Sequence, residues 1–399
     1  MDEGKKIVVF GAGRIGRSFI GQLFGCAGYG VVFVDVDRQL IDRLKEKKAY
    51  PVMIRDSNHP GEERTIQVTN ITALHASEEE KIITRIEEAD ILATSVGKNG
   101  LPGLTGILDR GIRSRYKRFP AKPIDIILAE NVRNAADFLH AALSKGKSVY
   151  PLEDYVGLVE TSIGKMVPIM TREQMEADPL AVYAEPYNTL ILDGRAFKNP
   201  VPGVPGLSPK DNMKAWVDRK LFIHNLGHAA LAYQANFHFP DLVYTWEALE
   251  NLFLIKMTRD TMLQSAGILR AMYPEEFDTA QLTAHVDDLL MRFANKALGD
   301  TIFRVGCDLP RKLGRDDRLL VPILAGISLE LPFDLILEAW VKGCSFKAVG
   351  ENGQELDEDL KFRLAYGFDY RRILQEHCQL SSADHPDLYH SLTQIMASM

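Results

Sequence analysis

The sequence predicts a doubly wound parallel α/β sheet followed by an all-α domain. Three observations carry this prediction. Short β-branched runs alternate with amphipathic segments through the first half of the chain, the pattern of a parallel sheet covered on both faces. A glycine-rich turn joins the first such run to the first amphipathic segment. From Asp211 onward the apolar period is almost wholly helical.

The elements follow in order. Residues 6–10 form a strand that stops at Gly11, and a helix runs from about Ile15 to Ala27. VVFVDVD is the second strand, with Asp35 at its end. Strand, turn, helix and strand within ~30 residues make a βαβ unit. The stretch from Tyr50 to Leu74 reads as a strand pair inserted in the sheet around the turn-rich SNHPGEE. Further strands cover 89–97 and 123–131, and EPYNTLIL reads as the last one. The connector NPVPGVPGLSP then divides the chain into domains at 1–200 and 201–399. Amphipathic runs at about 211–235, 244–272, 279–298, 317–344 and 355–378 build the second domain.

Composition narrows the function. The chain has 399 residues, 46% hydrophobic and 25% charged, enough for a sizeable core in two domains. The net charge of -7 argues against nucleic acid or an anionic membrane as a main partner but leaves room for a local basic pocket. Four scattered cysteines form no CxxC, no disulfide scaffold and no zinc pattern. The first strand begins too early to leave room for a signal peptide, and the apolar stretch between Leu319 and Val341 is broken by Pro322, Glu330, Pro332 and Asp334. A cytoplasmic protein is expected.

The turn reads Gly11-Ala12-Gly13-Arg14-Ile15-Gly16. The first glycine permits the tight bend, the second lets the backbone approach a pyrophosphate, and the third allows close helix–strand packing. The anion then sits on the helix N-terminus. Following a strand and opening a helix, the motif predicts a Rossmann-type dinucleotide site. A carboxylate at Asp35 accepts hydrogen bonds from the adenosine ribose and repels a 2′-phosphate, which favours NAD over NADP. Asp37 is the rival for this role, and Arg38 is near enough to accommodate a 2′-phosphate. Ser95, Val96 and Gly97 end a later strand, at the edge where ligands bind in doubly wound sheets.

A second signal opens the helical half. RKLFIHNLGHAALAY holds Lys220, Asn225 and His228 as K-x4-N-x2-H. At ~100° per residue, Asn225 and His228 lie about 140° and 80° around from Lys220, so the three can face one cleft. Oxidising a secondary alcohol needs a base for the hydroxyl proton, and a desolvated lysine serves near neutral pH. An asparagine amide supplies a neutral donor to the alkoxide-like oxygen. The same spacing also fits a solvated lysine beside two capping or core polar residues. His224 and His228 are four apart, but with no third ligand in view no metal is expected.

Taken together, FGAGRIGRSFIG, the K-x4-N-x2-H block, ENVR with Asn131, and RFANKALGDTIFRVGCDLPRKLGRDDRLL resemble the zinc-independent, polyol-specific long-chain dehydrogenases over nearly the whole chain. The resemblance implies that Lys220 is the general acid/base, that Asn131 and Asn225 stabilise the oxyanion, and that His228 orients polyol hydroxyls. It also implies that Arg304 and Lys312 are cations of the substrate pocket, one or both of which hold a phosphate. Their alternative is ion pairing with Asp300, Asp308 or Asp317. Two departures stand out: Gly164-Lys165 replaces the family's Asp-Arg pair, and Leu190 replaces an aromatic residue. The length fits the shorter, phosphate-specific branch, which implies NAD-dependent interconversion of D-mannitol 1-phosphate and D-fructose 6-phosphate by a monomer or small homo-oligomer. The alternatives are a dehydrogenase of an unphosphorylated polyol or hexonate, and a non-catalytic NAD-binding protein.

Overall fold

The computed structural model describes residues 4–97, 99–130, 134–145, 150–168 and 170–398. The chain divides into two compact units, Met1–Trp216 and Val217–Met399.

In the first unit the strands are β1 (Lys6–Phe10), β2 (Gly30–Asp35), β3 (Tyr50–Ile54), β4 (Arg64–Val68), β5 (Ile71–His75), β6 (Ile91–Thr94), β7 (Ile124–Leu128), β8 (Val156–Ser162), β9 (Val182–Ala184), β10 (Leu190–Asp193) and β11 (Leu207–Lys210). Eight of them form one sheet in the order β11-β10-β8-β7-β6-β1-β2-β5. From β5 to β8 every pairing is parallel, and the run β5-β2-β1-β6-β7-β8 is the doubly wound order. Alternation along β1 shows why both faces are covered. Ile7 and Val9 enter one buried cluster and Val8 and Phe10 the other, with all four almost inaccessible to water.

Two expectations are corrected here. The strand pair around SNHPGEE is not inserted in the main sheet. β3 and β4 pair antiparallel and, with β9 parallel to β3, make a separate three-stranded sheet, while β5 alone joins the large one. The apolar side of β3 packs into the cluster beneath the first helix, whereas β4 is an exposed, polar edge. EPYNTLIL is not the last strand either. β10 turns antiparallel to β8, and the proline-rich stretch after it leads back to β11, parallel to β10.

The second unit is helical. Its centre is Leu226–His238, in which Leu226, Ala229, Ala230, Leu231, Ala232, Tyr233 and Ala235 are all fully buried. A helix apolar all round is a central helix. Leu252–Met272 and Asp334–Cys344 pack against it, and the small alanines let them approach. The run expected at 317–344 is two helices, Leu320–Ser328 and Asp334–Cys344, broken where Glu330 adopts a left-handed backbone. Among the described residues, no helix is long and apolar enough to cross a membrane.

Candidate active site

The glycine turn sits at the C-terminal end of β1. Gly11 has φ +98, a conformation only glycine adopts freely, and its N–H donates to the Val34 carbonyl at 2.8 Å. A side chain at Gly16 would lie 2.0 Å from the Gly11 carbonyl oxygen, so the helix packs against the turn only because Gly16 has none. Around the Cβ position of Gly13 there is open space. That is the form of a backbone surface a pyrophosphate can approach, so the turn fits a dinucleotide.

The helix that follows opens differently from the expectation. Gly16–Gly21 is a π-turn, in which the Gln22 N–H reaches back five residues to the Arg17 carbonyl, and an α-helical Gln22–Cys26 completes it. Arg17 is buried and points back, its Nε donating to the Ala12 carbonyl at 2.8 Å. Arg14 is exposed and donates to the Pro168 carbonyl at 3.2 Å, while Ile15 is half-buried against the core.

Asp35 is tied to the same turn. Its Oδ2 accepts from the Ala12 N–H at 2.6 Å and its Oδ1 from the Asp37 N–H at 3.0 Å. Asp37 is engaged elsewhere. Its side chain caps the helix Arg38–Lys47 by accepting from the Leu40 N–H at 3.1 Å. Arg38 lies against His75, Nη2 to Nδ1 at 3.3 Å.

Ser95 closes on the turn from β6, its hydroxyl donating to the Gly11 carbonyl at 3.2 Å. Val96 and Gly97 follow, and Gly97 has φ +75. Their N–H groups both donate to Glu130, at 3.0 and 2.7 Å. Sequence reasoning missed Glu130. A lone acid at a strand end carries no signal of its own, yet it is buried here, and desolvation raises its pKa against the two N–H bonds. The neighbouring Asn131 lies outside the described residues.

Lys165, half of the Gly164-Lys165 departure, is buried in the same unit. Its ammonium donates to Ser18 O, Gln22 Oε1 and Asn188 Oδ1 at 3.0, 2.9 and 2.7 Å, and burial lowers its pKa to about 7. It braces the π-turned helix. Leu190, the other departure, is fully buried in β10.

In the second unit, Lys220 to Asn225 form another π-turn, closed by the Leu226 N–H on the Leu221 carbonyl. This corrects the angular estimate. Where hydrogen bonds run i→i+5, residues five apart come round to the same side, so Lys220 and Asn225 are brought nearer than a regular helix allows. Two side chains take carbonyls within the turn: Ser265 Oγ donates to Phe222 O at 2.7 Å and Arg318 Nη1 to Asn225 O at 3.4 Å. Among the described residues, the Asn225 side-chain amide has no hydrogen-bond partner.

Lys220 is half-buried, and its pKa is lowered to about 8 by desolvation and then by the charge of Arg318. His228 stacks on Phe293 with ring centroids 3.8 Å apart, and its buried Nε2 has no partner among the described residues. Burial holds it neutral well below the usual histidine range, and Arg304, Arg318, Lys312 and Arg292 push the same way. His224 is buried and likewise held neutral, chiefly by desolvation. Among the described residues, no three His, Cys, Asp or Glu side chains gather as a metal site.

The two expected substrate cations part ways. Arg304 pairs with buried Asp300, the alternative anticipated for it. Lys312 pairs with neither Asp308 nor Asp317: Arg311 takes Asp308 and shares Asp317 with Arg318. Instead its Nζ donates to the Val305 carbonyl at 2.7 Å, in a buried position where desolvation and Arg318 lower its pKa to about 7. Arg318, which acts on Lys220, His228 and Lys312 alike, was not singled out from the sequence. It ends the RKLGRDDR run, where one arginine among several gives no sign of facing inward.

A glycine turn of this build, in a sheet of this order, defines a Rossmann-type site for NAD or NADP. The model of the mannitol dehydrogenase Rossmann domain matches residues 5–206 and that of the mannitol dehydrogenase C-terminal domain matches residues 212–380. The chain belongs to the mannitol dehydrogenase family, and is a polyol dehydrogenase with a Rossmann-like first domain and a helical second one. Among solved structures, it is similar to D-mandelate dehydrogenase with NADH and anilino(oxo)acetate (14% identity, 85% of this chain and 97% of that chain, TM-score 0.49). It is also similar to a probable 2-dehydropantoate 2-reductase from Bacillus subtilis (11% identity, 86% and 100%, TM-score 0.46). A third is yersinopine dehydrogenase bound to NADP+ (12% identity, 100% of each chain, TM-score 0.44). None of the three bears on what this chain binds.

Proposed function

We propose that the chain is a mannitol-1-phosphate 5-dehydrogenase, interconverting D-mannitol 1-phosphate and D-fructose 6-phosphate with NAD, without a metal. The observation that carries this is the cation cluster of the second unit. In a protein of net charge -7, Arg292, Arg304, Lys312 and Arg318 all act on His228, and Arg318 acts on Lys220 as well. Arg292, Arg304 and Arg318 are paired with Asp288, Asp300 and Asp317, whereas among the described residues Lys312 has no carboxylate partner, and a buried lysine so placed suits an anionic substrate.

Gly11, Gly13 and Gly16 would receive the pyrophosphate, with Asp35 at the adenosine ribose. The carboxylate disfavours a 2′-phosphate, and Asp37 is engaged as a helix cap. Bound NAD supplies the hydride acceptor. Lys220 takes the hydroxyl proton in oxidation and returns it in reduction. The amides of Asn225 and Asn131 stabilise the developing alkoxide, His228 Nε2 orients a polyol hydroxyl, and Lys312 holds the phosphate. The partner is this small molecule, not nucleic acid or membrane. The enzyme works in the cytoplasm as a monomer or small homo-oligomer, and its four cysteines are free thiols.

The test is NADH oxidation with fructose 6-phosphate, fructose and hexuronates, for the full chain and for Lys220→Ala. Fructose 6-phosphate is reduced fastest, and the variant loses turnover by roughly 10²–10⁴-fold while NADH affinity holds. Undiminished turnover in Lys220→Ala refutes the role. A second reading, an unphosphorylated hexitol or hexonate, is favoured by the engagement of Arg304 with Asp300. Equal rates on fructose and fructose 6-phosphate select it.

A further inference from the structure

Lys312 sits on a short turn that the C-terminal elements hold from three sides. Asp308 takes the left-handed conformation, φ +75, which swings two successive N–H groups toward one carboxylate. Asp359, on the helix Asp357–Tyr366, accepts both: Oδ2 from Asp308 at 2.9 Å and Oδ1 from Leu309 at 2.6 Å. His377 Nε2 meets the Pro310 carbonyl at 2.6 Å. At the far end, the Leu313 carbonyl accepts from Trp340 Nε1 at 3.0 Å and from Cys378 Sγ at 3.4 Å. Every residue from Asp308 to Leu313 except Arg311 and Lys312 is therefore tied through its backbone to residues far along the chain. Arg311 is tied through its side chain to Asp308 and Asp317.

Lys312 has three N–H donors, and among the described residues one goes to the Val305 carbonyl. Two are left for a ligand in a place where the lysine is 5% exposed. A buried lysine so thinly partnered gives up its proton more readily than a solvated one, and an anion placed against it restores the charged form.

We propose that Asp359 and His377 are positioning residues for the anionic end of the substrate, locking the Asp308–Leu313 turn so that two Lys312 N–H donors face a phosphate. This deepens the functional reading above and rests on it. The carboxylate of Asp359 sets the start of the turn, and the imidazole of His377 sets its middle. Neither touches the substrate.

The experiment compares Asp359→Asn, Asp359→Ala, His377→Phe and Lys312→Met in the full chain. It measures KM for fructose 6-phosphate, competitive inhibition by inorganic phosphate, kcat, and KM for NADH. Asp359→Ala and His377→Phe raise KM for fructose 6-phosphate and weaken phosphate inhibition about ten-fold, the scale of one hydrogen bond to a charged group. kcat and KM for NADH stay near those of the parent protein. Asp359→Asn, which keeps one accepting oxygen, falls between. Adding His377→Phe to Lys312→Met changes nothing further, because both act on one ammonium. If Asp359→Ala fails to fold, His377→Phe decides. An effect of Lys312→Met with none from His377→Phe or Asp359→Asn overturns the positioning role and leaves the functional reading standing. No effect of Lys312→Met on KM or on phosphate inhibition overturns the phosphate site, and this proposal with it.

Discussion

Replacing Arg318 with glutamine tests how Lys220 becomes a base. The Lys220 ammonium falls from the ordinary 10.5 to about 8, first because the turn around it is dry and second because Arg318 repels its charge. At 1.36 kcal/mol per unit that is about 3 kcal/mol against the charged form. At pH 7 the neutral amine then makes up about 10% of the population, against about 0.03% at the ordinary value, roughly 300-fold more base. Removing Arg318 leaves desolvation, the larger cause, in place, so a rise of up to about one unit is expected. Asp317 is not orphaned, because Arg311 holds it at 2.9 Å. Polyol oxidation needs the neutral amine, so kcat rises with pH and levels off above about 8 in the parent enzyme. Ketose reduction needs the ammonium and falls over the same range. In Arg318→Gln both limbs move upward, and oxidation at pH 7 drops by up to about ten-fold relative to the variant's own high-pH plateau. The assay is the pH dependence of kcat in both directions at saturating substrate. A limb that stays in place, or moves down, refutes the coupling of Arg318 to the base.

Two further outcomes are expected. Glu130→Gln sets an amide NH₂ against one of the N–H groups of Val96 and Gly97, which costs about 1–3 kcal/mol locally, and NADH binding weakens roughly ten-fold or more; fluorescence titration with NADH reads it, and unchanged affinity removes Glu130 from the cofactor edge. Stability falls in acid through His285, whose pKa is lowered from 6.5 to about 3 by burial and by Arg219 and Arg292. Above pH 6.5 it is neutral folded and unfolded alike. Below 6.5 the unfolded chain binds a proton that the folded one refuses, so stability is lost progressively down to about pH 3, by about 1.4 kcal/mol for each unit. Urea midpoints at pH 7 and 5 measure the loss, and His285→Gln narrows the difference.

What the sequence made visible was local. The glycine turn, the alternation in β1 and Asp35 all lie within one βαβ unit, where neighbours in sequence are neighbours in space. The separate sheet was hidden because β9 is three residues long and pairs with β3 across more than a hundred positions. Periodicity cannot report such a partner. Lys220, Asn225 and His228 were visible as a spacing, and Arg304 and Lys312 through resemblance, but the side chains that tune them were not. Arg318, Asp359 and Glu130 gain meaning only from backbone groups they reach across the fold: Asp359 caps residues 50 and 51 positions earlier.

The π-turn explains why spacing alone undershot. On a regular helix, Lys220 and Asn225 point about 140° apart, which lets them border one cleft only from its opposite sides. An i→i+5 turn brings them together but leaves carbonyls short of the usual partners, a cost that a buried segment cannot leave unmet. Leu221, Phe222, Ile223 and His224 are all buried, so water is not the remedy. The protein answers with Ser265 on the Phe222 carbonyl and Arg318 on the Asn225 carbonyl. Arg318 therefore serves the site twice. Its guanidinium stabilises the backbone geometry that aligns lysine and asparagine, and its charge adds to the desolvation that lowers the lysine toward neutrality. One side chain thus supports both the shape and the acidity at Lys220.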